Sequence, residues 1–365
     1  FSMSKAAELA NLIGNINAGG GGANKNVIIN GAMNVAQRSV SETGISSSGY
    51  YTCDRWRVIL GGSTAGRFTM TQDSSAPSGF ANSLKLDCTT ADTSIASTEV
   101  LILQQKIEGQ NLQGFAKGTS DAKPFAVSFY VKGNASATYV AELMDNDNTR
   151  QVSKSFTVGT DWTRVELTFP ADTTGAFDDD NGASLDLMIW LHGGSTYTSG
   201  TLSETWSARA DNDRAVGISS FFSSTDNTFF LTGVQLEVGQ NPTTFEHEPF
   251  ERTLEKCQRY YYLAMDTAND GATHGPIGAN YKSDNARLVF FFPKLMRATP
   301  TLTSSGNLRI YSRSQNDSIS DLSLKTAHNK FAQLNTDSIS GTTGDACFSY
   351  ATSGDSIKIQ FDSEL

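Results

Sequence analysis

The stretches that decide the fold are FAVSFYVK at 125–132, WTRVELTF at 162–169 and LDLMIWLH at 185–192. In each of them every second side chain is apolar, which is typical of a β-strand that buries one face. The predicted buried faces are Phe125, Val127, Phe129 and Val131 in the first stretch, Val165, Leu167 and Phe169 in the second, and Leu185, Leu187, Ile189 and Leu191 in the third.

The surrounding sequence continues the same pattern. Shorter alternating stretches occur at 67–72 and 83–88, and turn-forming clusters such as 146–148 and 178–182 separate the strands. Charged residues make up only 18% of the chain, and glycine alone contributes 32 residues. Many short strands with regular turns and no helices between them predict an all-β, antiparallel two-sheet sandwich.

The chain is predicted to contain four segments. An apolar stripe at helical spacing predicts a short N-terminal helix at 4–17, and Gly19–Gly22 follows it as a flexible linker. The stretch RLVFFFPKLM at 287–296 predicts a strand that ends at Pro293. The segments are the helix and linker at 1–25, the sandwich at 26–250, a connector at 251–262 and a second, smaller β-domain at 263–365.

Charge and composition argue against several classes of partner and site. The net charge is −10, which disfavours nucleic acid and anionic membranes, because both are bound through an excess of lysine and arginine. No apolar run is long enough to span a bilayer, and no signal-peptide pattern opens the sequence, so neither is expected. The four cysteines form no CxxC pair, which argues against a zinc site.

No catalytic motif is present, so the expectation is a protein that is not an enzyme. The sequence contains no G-x-S-x-G elbow, no phosphate-binding loop, no dinucleotide fingerprint and no pair of histidines at metal-ligand spacing. A glycan depolymerase stays open as an alternative, because the two carboxylates of a glycosidase must be close in space rather than in sequence.

Two sites are predicted. Trp206 and Tyr197 lie in a long loop rich in Ser, Thr and Gly, where exposed aromatic rings offer an apolar face to a sugar. The competing interpretation is that Trp206 packs on its own sandwich. Asp178 and Asp180 form an acidic turn that suits a structural calcium ion, the sole cofactor considered, although adjacent loop carboxylates usually face solvent.

Several stretches resemble phage tail-fibre and receptor-binding virion proteins. They are NVIINGAMNVAQRS at 26–39 with DRW at 54–56, FFLTGVQLEVGQNPTTFEHEPFERTLEKCQRYYY at 229–262, and MRATPTLT at 296–303 with the terminal FDSEL. The middle of the first domain, around DWTRVELTF, resembles carbohydrate-binding modules of jelly-roll type. The resemblance implies a jelly-roll sandwich in a virion protein that is exposed on the particle, is usually trimeric and contacts the host surface.

The leading hypothesis is therefore a non-enzymatic tail-fibre or receptor-binding protein of a phage that contacts host-surface glycans. The expected partners are the host glycan, other virion proteins and two further copies of the chain, with no nucleic acid and no membrane insertion. One alternative is a structural or capsid-decoration protein without glycan affinity, and the other is the depolymerase.

Overall fold

A computed structural model describes residues 5, 25–267, 274–313, 315–320, 322–351 and 356–365. The chain divides into two compact units, Phe1–Thr253 and Leu254–Leu365, and the division falls within the predicted connector. The predicted helix at 4–17 and the linker Gly19–Gly22 lie outside the described residues, apart from Lys5.

The N-terminal unit is an antiparallel sandwich of two β-sheets. Its strands are β1 (Ser41–Ile45), β2 (Gly49–Tyr50), β3 (Arg57–Gly61), β4 (Arg67–Asp73), β5 (Ser83–Thr90), β6 (Val100–Glu108), β7 (Phe125–Gly133), β8 (Ala137–Asp145), β9 (Arg150–Val158), β10 (Thr163–Phe169), β11 (Ala183–Gly193), β12 (Ser207–Ala208) and β13 (Thr228–Val238). One sheet has the order β1-β4-β5-β13-β7-β10, and the other has the order β12-β9-β8-β11-β6-β3-β2. The predicted all-β, jelly-roll-like architecture is confirmed.

Helices are few among the described residues. They are α1 (Ser195–Thr198), α2 (Phe250–Gln258) and the 3₁₀ turns Gly109–Asn111, Gln113–Phe115, Asp211–Asp213 and Phe221–Ser223. None of these described helices has the length and apolar character needed to cross a membrane.

The three alternating stretches form β7, β10 and β11, and their predicted apolar faces meet in one core between the sheets. Phe125, Phe129 and Leu187 are fully buried there, and Leu167 packs against the core at its edge. Burial of each such side chain stabilises the fold by about 1.5–3 kcal/mol, so the period-2 pattern fixes which face of each strand turns inward.

The stretch at 26–39 lies beside β13, the strand in which the stretch at 229–262 begins. Gly31 approaches β13 so closely that its carbonyl accepts a hydrogen bond from Val234 N at 3.0 Å, and a Cβ on Gly31 would lie 2.1 Å from Val234 O. Val27 N donates to Leu236 O at 3.0 Å. The first of these stretches is therefore hydrogen-bonded to the strand that opens the second, although about 200 residues separate them in the chain.

The C-terminal unit contains two antiparallel sheets. Its strands are β14 (Tyr261–Asp266), β15 (His274–Lys282), β16 (Asn285–Phe291), β17 (Thr301–Ser305), β18 (Leu308–Ser312), β19 (Gln315–Ile319), β20 (Ser323–His328), β21 (Phe331–Thr336), β22 (Ala346–Tyr350) and β23 (Lys358–Asp362). The sheet orders are β14-β23-β17 and β19-β18-β22-β15-β16-β21-β20. Residues such as Leu288, Leu334 and Phe361 fill the core between them, and the strand predicted from RLVFFFP ends at Phe291.

Candidate functional site

The candidate site is a groove of about 510 Å³ on the outer face of the seven-stranded sheet of the N-terminal unit. Strands β3, β6, β8 and β11 supply its floor, and the loop at 194–218 supplies side chains to its wall. The lining residues are Arg57, Ile59, Val100, Ile102, Gln104, Lys106, Met144, Asn146, Ala183, Asp186, Met188, Trp190, Tyr197, Arg209 and Arg214.

The strand alternation that builds the core also builds this floor. In β11 the residues Leu185, Leu187 and Leu191 face the core, so Asp186 and Met188 between them face outward. The same period places Arg57 and Ile59 of β3, and Ile102, Gln104 and Lys106 of β6, on the outer face. The floor is therefore a mixed surface in which apolar side chains surround a few polar ones.

A chain of hydrogen bonds crosses the floor from β3 to β11. Arg57 Nη1 donates to Gln104 Oε1 at 3.2 Å, and Gln104 Nε2 donates to Asp186 Oδ2 at 2.7 Å. Gln104 and Asp186 are only 2% and 3% exposed, so the bonds hold both side chains in fixed orientations. The second carboxylate oxygen, Asp186 Oδ1, has no hydrogen-bond partner in the described part of the chain.

The environment of Asp186 disfavours the charged form of its carboxyl group. Burial raises the pKa of this carboxyl to about 6, although the positive charge of Lys106 and the side-chain amides of Asn146 and Gln104 act to lower it. The nearby carboxylate Glu142 raises the pKa further. A buried acceptor that keeps one oxygen without a partner is uncommon in a folded protein, and a hydroxyl group of a ligand would supply the missing hydrogen bond.

One wall of the groove is a rigid cluster around Trp190. The indole Nε1 donates to Glu142 Oε2 at 2.6 Å, and Arg214 binds the same carboxylate through Nε and a terminal nitrogen at 2.9 and 3.0 Å. The Arg214 guanidinium lies 4.9 Å from the Trp190 ring centroid. The centroids of the Trp190 and Tyr197 rings are 5.3 Å apart. Trp190 is thus fully buried, but on the outer face of the sheet rather than in the central core.

The structure separates the two aromatic residues that the sequence placed in one site. Tyr197 is half-buried and lines the groove. Trp206 is absent from the groove lining: its ring packs 5.6 Å from Phe125, and its Nε1 donates to Pro170 O at 2.8 Å. The competing interpretation, that Trp206 packs on its own sandwich, describes its position.

The acidic turn at Asp178 and Asp180 is exposed and held by backbone contacts. Asp180 Oδ1 accepts a hydrogen bond from Gly182 N at 2.7 Å, and Asp178 N donates to Asp147 Oδ2 at 2.9 Å. No cluster of three or more His, Cys, Asp or Glu side chains with metal-binding geometry occurs in the described part of the chain. Calcium binding at this turn stays a prediction.

A dense set of oxygen atoms near that turn surrounds the side chain of Lys117. Lys117 Nζ lies 2.5 Å from Asp145 Oδ2 and 3.1 Å from Asp172 Oδ2, and it donates to the carbonyls of Thr174 and Gly175 at 2.8 Å each. The Lys117 side chain is fully buried. An ammonium group thus fills a cage of carboxylate and carbonyl oxygens that suits a hard cation.

The sequence reasoning missed Arg57, Gln104 and Asp186, which form the polar chain of the floor. The available signal was the polar residue inside each apolar strand, such as Asp186 in LDLMIWLH. A carboxylate on the outer face of a strand ordinarily lies in solvent, so this signal alone does not distinguish a ligand site from a surface.

No family model matches the sequence, and no curated protein matches it either. Solved structures do resemble it. A carbohydrate-binding module of family 4 is 10% identical, covers 57% of this chain and 97% of its own, and superposes with a TM-score of 0.29. The family 11 module from Clostridium thermocellum, solved with a β-1,3-1,4-mixed-linked tetrasaccharide, is 12% identical, covers 57% and 99%, and has a TM-score of 0.27.

The enzymatically active domain of tailspike protein 4 from bacteriophage CBA120 is also similar. It is 12% identical, with a TM-score of 0.28, and the match covers 58% of this chain but only 21% of that one. At such identities and TM-scores, these likenesses add nothing to the assignment of a ligand.

Proposed function

We propose that this protein is a non-enzymatic phage virion protein, a tail fibre or receptor-binding protein, that contacts host-surface glycans through the groove on its N-terminal unit. The observation that carries the glycan-binding part is the buried chain Arg57–Gln104–Asp186, which ends in a carboxylate oxygen without a partner. The virion location, exposed to the outside, rests on the family resemblance of the sequence.

The composition of the groove suits a sugar. A sugar ring presents an apolar C–H face and a rim of hydroxyl groups, so its site needs an apolar or aromatic surface beside fixed hydrogen-bonding groups. The apolar surface of the groove is formed by Met188, Ile102 and Tyr197, and its hydrogen-bonding groups belong to Arg57 and Asp186. The volume of about 510 Å³ lies within the roughly 300–1,000 Å³ of small-molecule sites.

Binding is favoured over hydrolysis by the carboxylates that reach the groove. A glycosidase needs two carboxyl groups about 5–9.5 Å apart that both face the scissile bond. Among the described residues that line the groove, Asp186 is the single carboxylate. Glu142 does not line the groove: it is fully buried and is held by Arg214 and Trp190. These engagements support a binding role rather than general acid catalysis.

The test is an array of bacterial surface-polysaccharide fragments probed with the wild type and with Asp186→Asn. The asparagine keeps the shape and the bond from Gln104, but it turns a donor toward the free position and removes the charge. Loss of a hydrogen bond to a charged group should weaken binding about tenfold to a hundredfold. The matched control Asp121→Asn changes an exposed carboxylate outside the groove and should bind as the wild type does.

Two outcomes would contradict the proposal. If the folded wild type binds no glycan on the array and no host cell, the protein is better described as a structural or capsid-decoration protein. If host polysaccharide is shortened on incubation with the protein, the depolymerase alternative replaces the non-enzymatic role.

A further inference from the structure

A second pocket, of about 260 Å³, lies on the outer face of the seven-stranded sheet in the C-terminal unit. Strands β15, β16, β20 and β21 form it together with the ends of the adjoining turns. Leu288 and Leu334 fill the core of the unit, so their neighbours Arg287 and Asn335 face outward and line the pocket. Every side chain that lines it is polar, unlike the mixed lining of the groove. We call it the C-terminal pocket.

Two β-bulges bring further side chains to the C-terminal pocket. Tyr281 is the extra residue of a bulge where β15 pairs with β16, and Lys325 is the extra residue of a bulge where β20 pairs with β21. Arg287 and Asn335 are paired directly across β16 and β21, which lie between the bulged strands in the sheet order. A bulge redirects the side chain of its extra residue and is common next to active sites. The strand pairing therefore builds the pocket from both of its sides.

Arg287 supplies the central charge of the pocket. Its guanidinium carbon lies 3.4 Å from the centroid of the Tyr281 ring, and this stacking fixes the plane of the group. Its buried Nε has no hydrogen-bond partner in the described part of the chain. Lys282 and Lys325 also line the pocket and are exposed, and none of the three cations forms an ion pair with a described residue. An anion in the pocket would therefore meet cations that are not already paired.

Asn285 supplies an acceptor to the wall of the pocket. The residue is only 7% exposed, and its Nδ2 donates to Asn335 Oδ1 at 2.8 Å, to the Thr336 carbonyl at 3.1 Å and to Asp337 Oδ1. A carbonyl and a carboxylate only accept hydrogen bonds, so these partners fix which end of the amide is the nitrogen. The opposite atom, Oδ1, is buried and has no partner among the described residues. The pocket thus combines an unsatisfied acceptor with the unsatisfied donor Nε of Arg287.

The carboxylates of the pocket do not cancel its positive charge. Asp337 is engaged from within, because its Oδ1 accepts a hydrogen bond from Asn285 and its Oδ2 accepts one from Asn335 at 3.1 Å. Asp284 lies exposed in the turn between β15 and β16. Three cations against two carboxylates leave the lining with a net charge of +1, in a chain whose net charge is −10. The pocket therefore attracts an anion more strongly than the average surface of this protein does.

We propose that the C-terminal pocket binds a sugar residue that carries a negative charge, as a carboxylate or a phosphate group. Arg287 suits the anion, because a guanidinium donates two parallel hydrogen bonds to a carboxylate or a phosphate. Asn285 Oδ1 accepts a hydrogen bond from a hydroxyl of the same sugar. The volume lies just below the roughly 300–1,000 Å³ of pockets for drug-sized ligands, so it suits one sugar residue. The proposal is independent of whether the groove on the N-terminal unit binds glycans.

Isothermal titration calorimetry on the purified full chain tests the proposal. The compounds are trigalacturonate, its fully methyl-esterified form, glucose 6-phosphate and inorganic phosphate. We expect at least one of the two charged sugars to bind with an affinity that falls as the ionic strength rises, and the tighter of them identifies the anion. The methyl ester and inorganic phosphate should bind more weakly than that sugar by about tenfold or more, because the first lacks the charge and the second lacks the sugar.

Single substitutions locate the binding. Arg287→Met removes the central charge at similar volume and should weaken binding of the tighter sugar by about tenfold or more. Lys325→Gln changes an exposed side chain and should weaken it about twofold to fivefold, which covers the case in which Arg287→Met does not fold. Asp284→Asn should bind at least as tightly as the wild type, because it removes a negative charge from the pocket. The matched control Lys330→Gln changes an exposed lysine of the same unit outside the pocket and should bind as the wild type does.

Several results would overturn the proposal. One is the absence of binding by both charged sugars, and another is binding of inorganic phosphate as tight as that of the better sugar. A third is wild-type affinity in both Lys325→Gln and folded Arg287→Met. A loss of affinity in Asp186→Asn without a loss in Arg287→Met would place the sugar in the groove, which would support the proposed function and contradict the present proposal.

Discussion

Replacement of Lys117 by methionine probes the oxygen cage directly. The change removes the ammonium group that faces Asp145 and Asp172 but preserves most of the side-chain volume. Removal of one partner of a buried ion pair destabilises a protein by about 3–5 kcal/mol, because it leaves an uncompensated buried charge. Asp172 keeps its ion pair with Arg150 at 2.7 Å, so we expect the free energy of unfolding to fall by about 4 kcal/mol, near the middle of that range.

The assay is chemical denaturation followed by tryptophan fluorescence. All four tryptophans lie in the N-terminal unit, so the signal reports that unit alone. The matched control Lys85→Met breaks a surface pair with Asp87 at 3.0 Å and should lower the free energy of unfolding by less than about 1 kcal/mol. A loss for Lys117→Met no larger than that of Lys85→Met would refute the reasoning.

Calcium adds a second readout to the same variant. The vacated space is bordered by two carboxylates and by the carbonyls of Thr174 and Gly175, which are the oxygen ligands that calcium prefers. Millimolar calcium should therefore stabilise Lys117→Met and leave the wild type unchanged at this position, because the ammonium already occupies it. Equal stabilisation of both proteins would place the calcium elsewhere, for example at the turn of Asp178 and Asp180.

Three further predictions concern stability. Because burial raises the pKa of Asp186 from 3.8 to about 6, the wild type loses stability as the pH rises between these values. Asp186→Asn lacks this titration, so its free energy of unfolding should rise by about 3 kcal/mol relative to wild type across that window. The measurement is the free energy of unfolding of both proteins as a function of pH. Trp206→Ala should lower the free energy of unfolding by somewhat less than the roughly 3–5 kcal/mol lost when a fully buried tryptophan is truncated, and it should leave glycan affinity unchanged. A loss of glycan affinity without a loss of stability would place Trp206 in the binding site. Gly31→Ala should lose about 3 kcal/mol or fail to fold, because its Cβ would lie 2.1 Å from Val234 O, and wild-type stability would contradict the contact.

The strands were predictable from the sequence because the alternation of apolar and polar residues within each strand reflects which of its faces is buried. The alternation in FAVSFYVK depends on burial of one face, and burial is the largest stabilising term available to a strand. The groove was not predictable, because Arg57, Gln104 and Asp186 come from strands that are neighbours only through the sheet order β3-β6-β11. Adjacency of strands far apart in the chain is set by the topology of the whole sandwich and is not written in any one strand.

The loop residues were harder to place for a different reason. A ring in a loop can turn toward solvent or toward its own core, and composition is the same in both cases. Trp206 turns inward because Phe125 and the carbonyl of Pro170 offer it an apolar contact and an acceptor for its N–H group. Tyr197 lies in the short helix α1, which begins directly after Gly194. Its ring packs beside Trp190, and this contact places Tyr197 at the groove.

The most direct test of the central claim is the binding of fluorescently labelled protein to intact candidate host bacteria. The wild type and Asp121→Asn should bind saturably, Asp186→Asn should bind at least tenfold more weakly, and Tyr197→Ala should lose about 1–2 kcal/mol of binding free energy. All four proteins should show the same unfolding cooperativity, so that differences report the groove. Undiminished binding by folded Asp186→Asn and Tyr197→Ala would contradict the assignment of the groove as the glycan site.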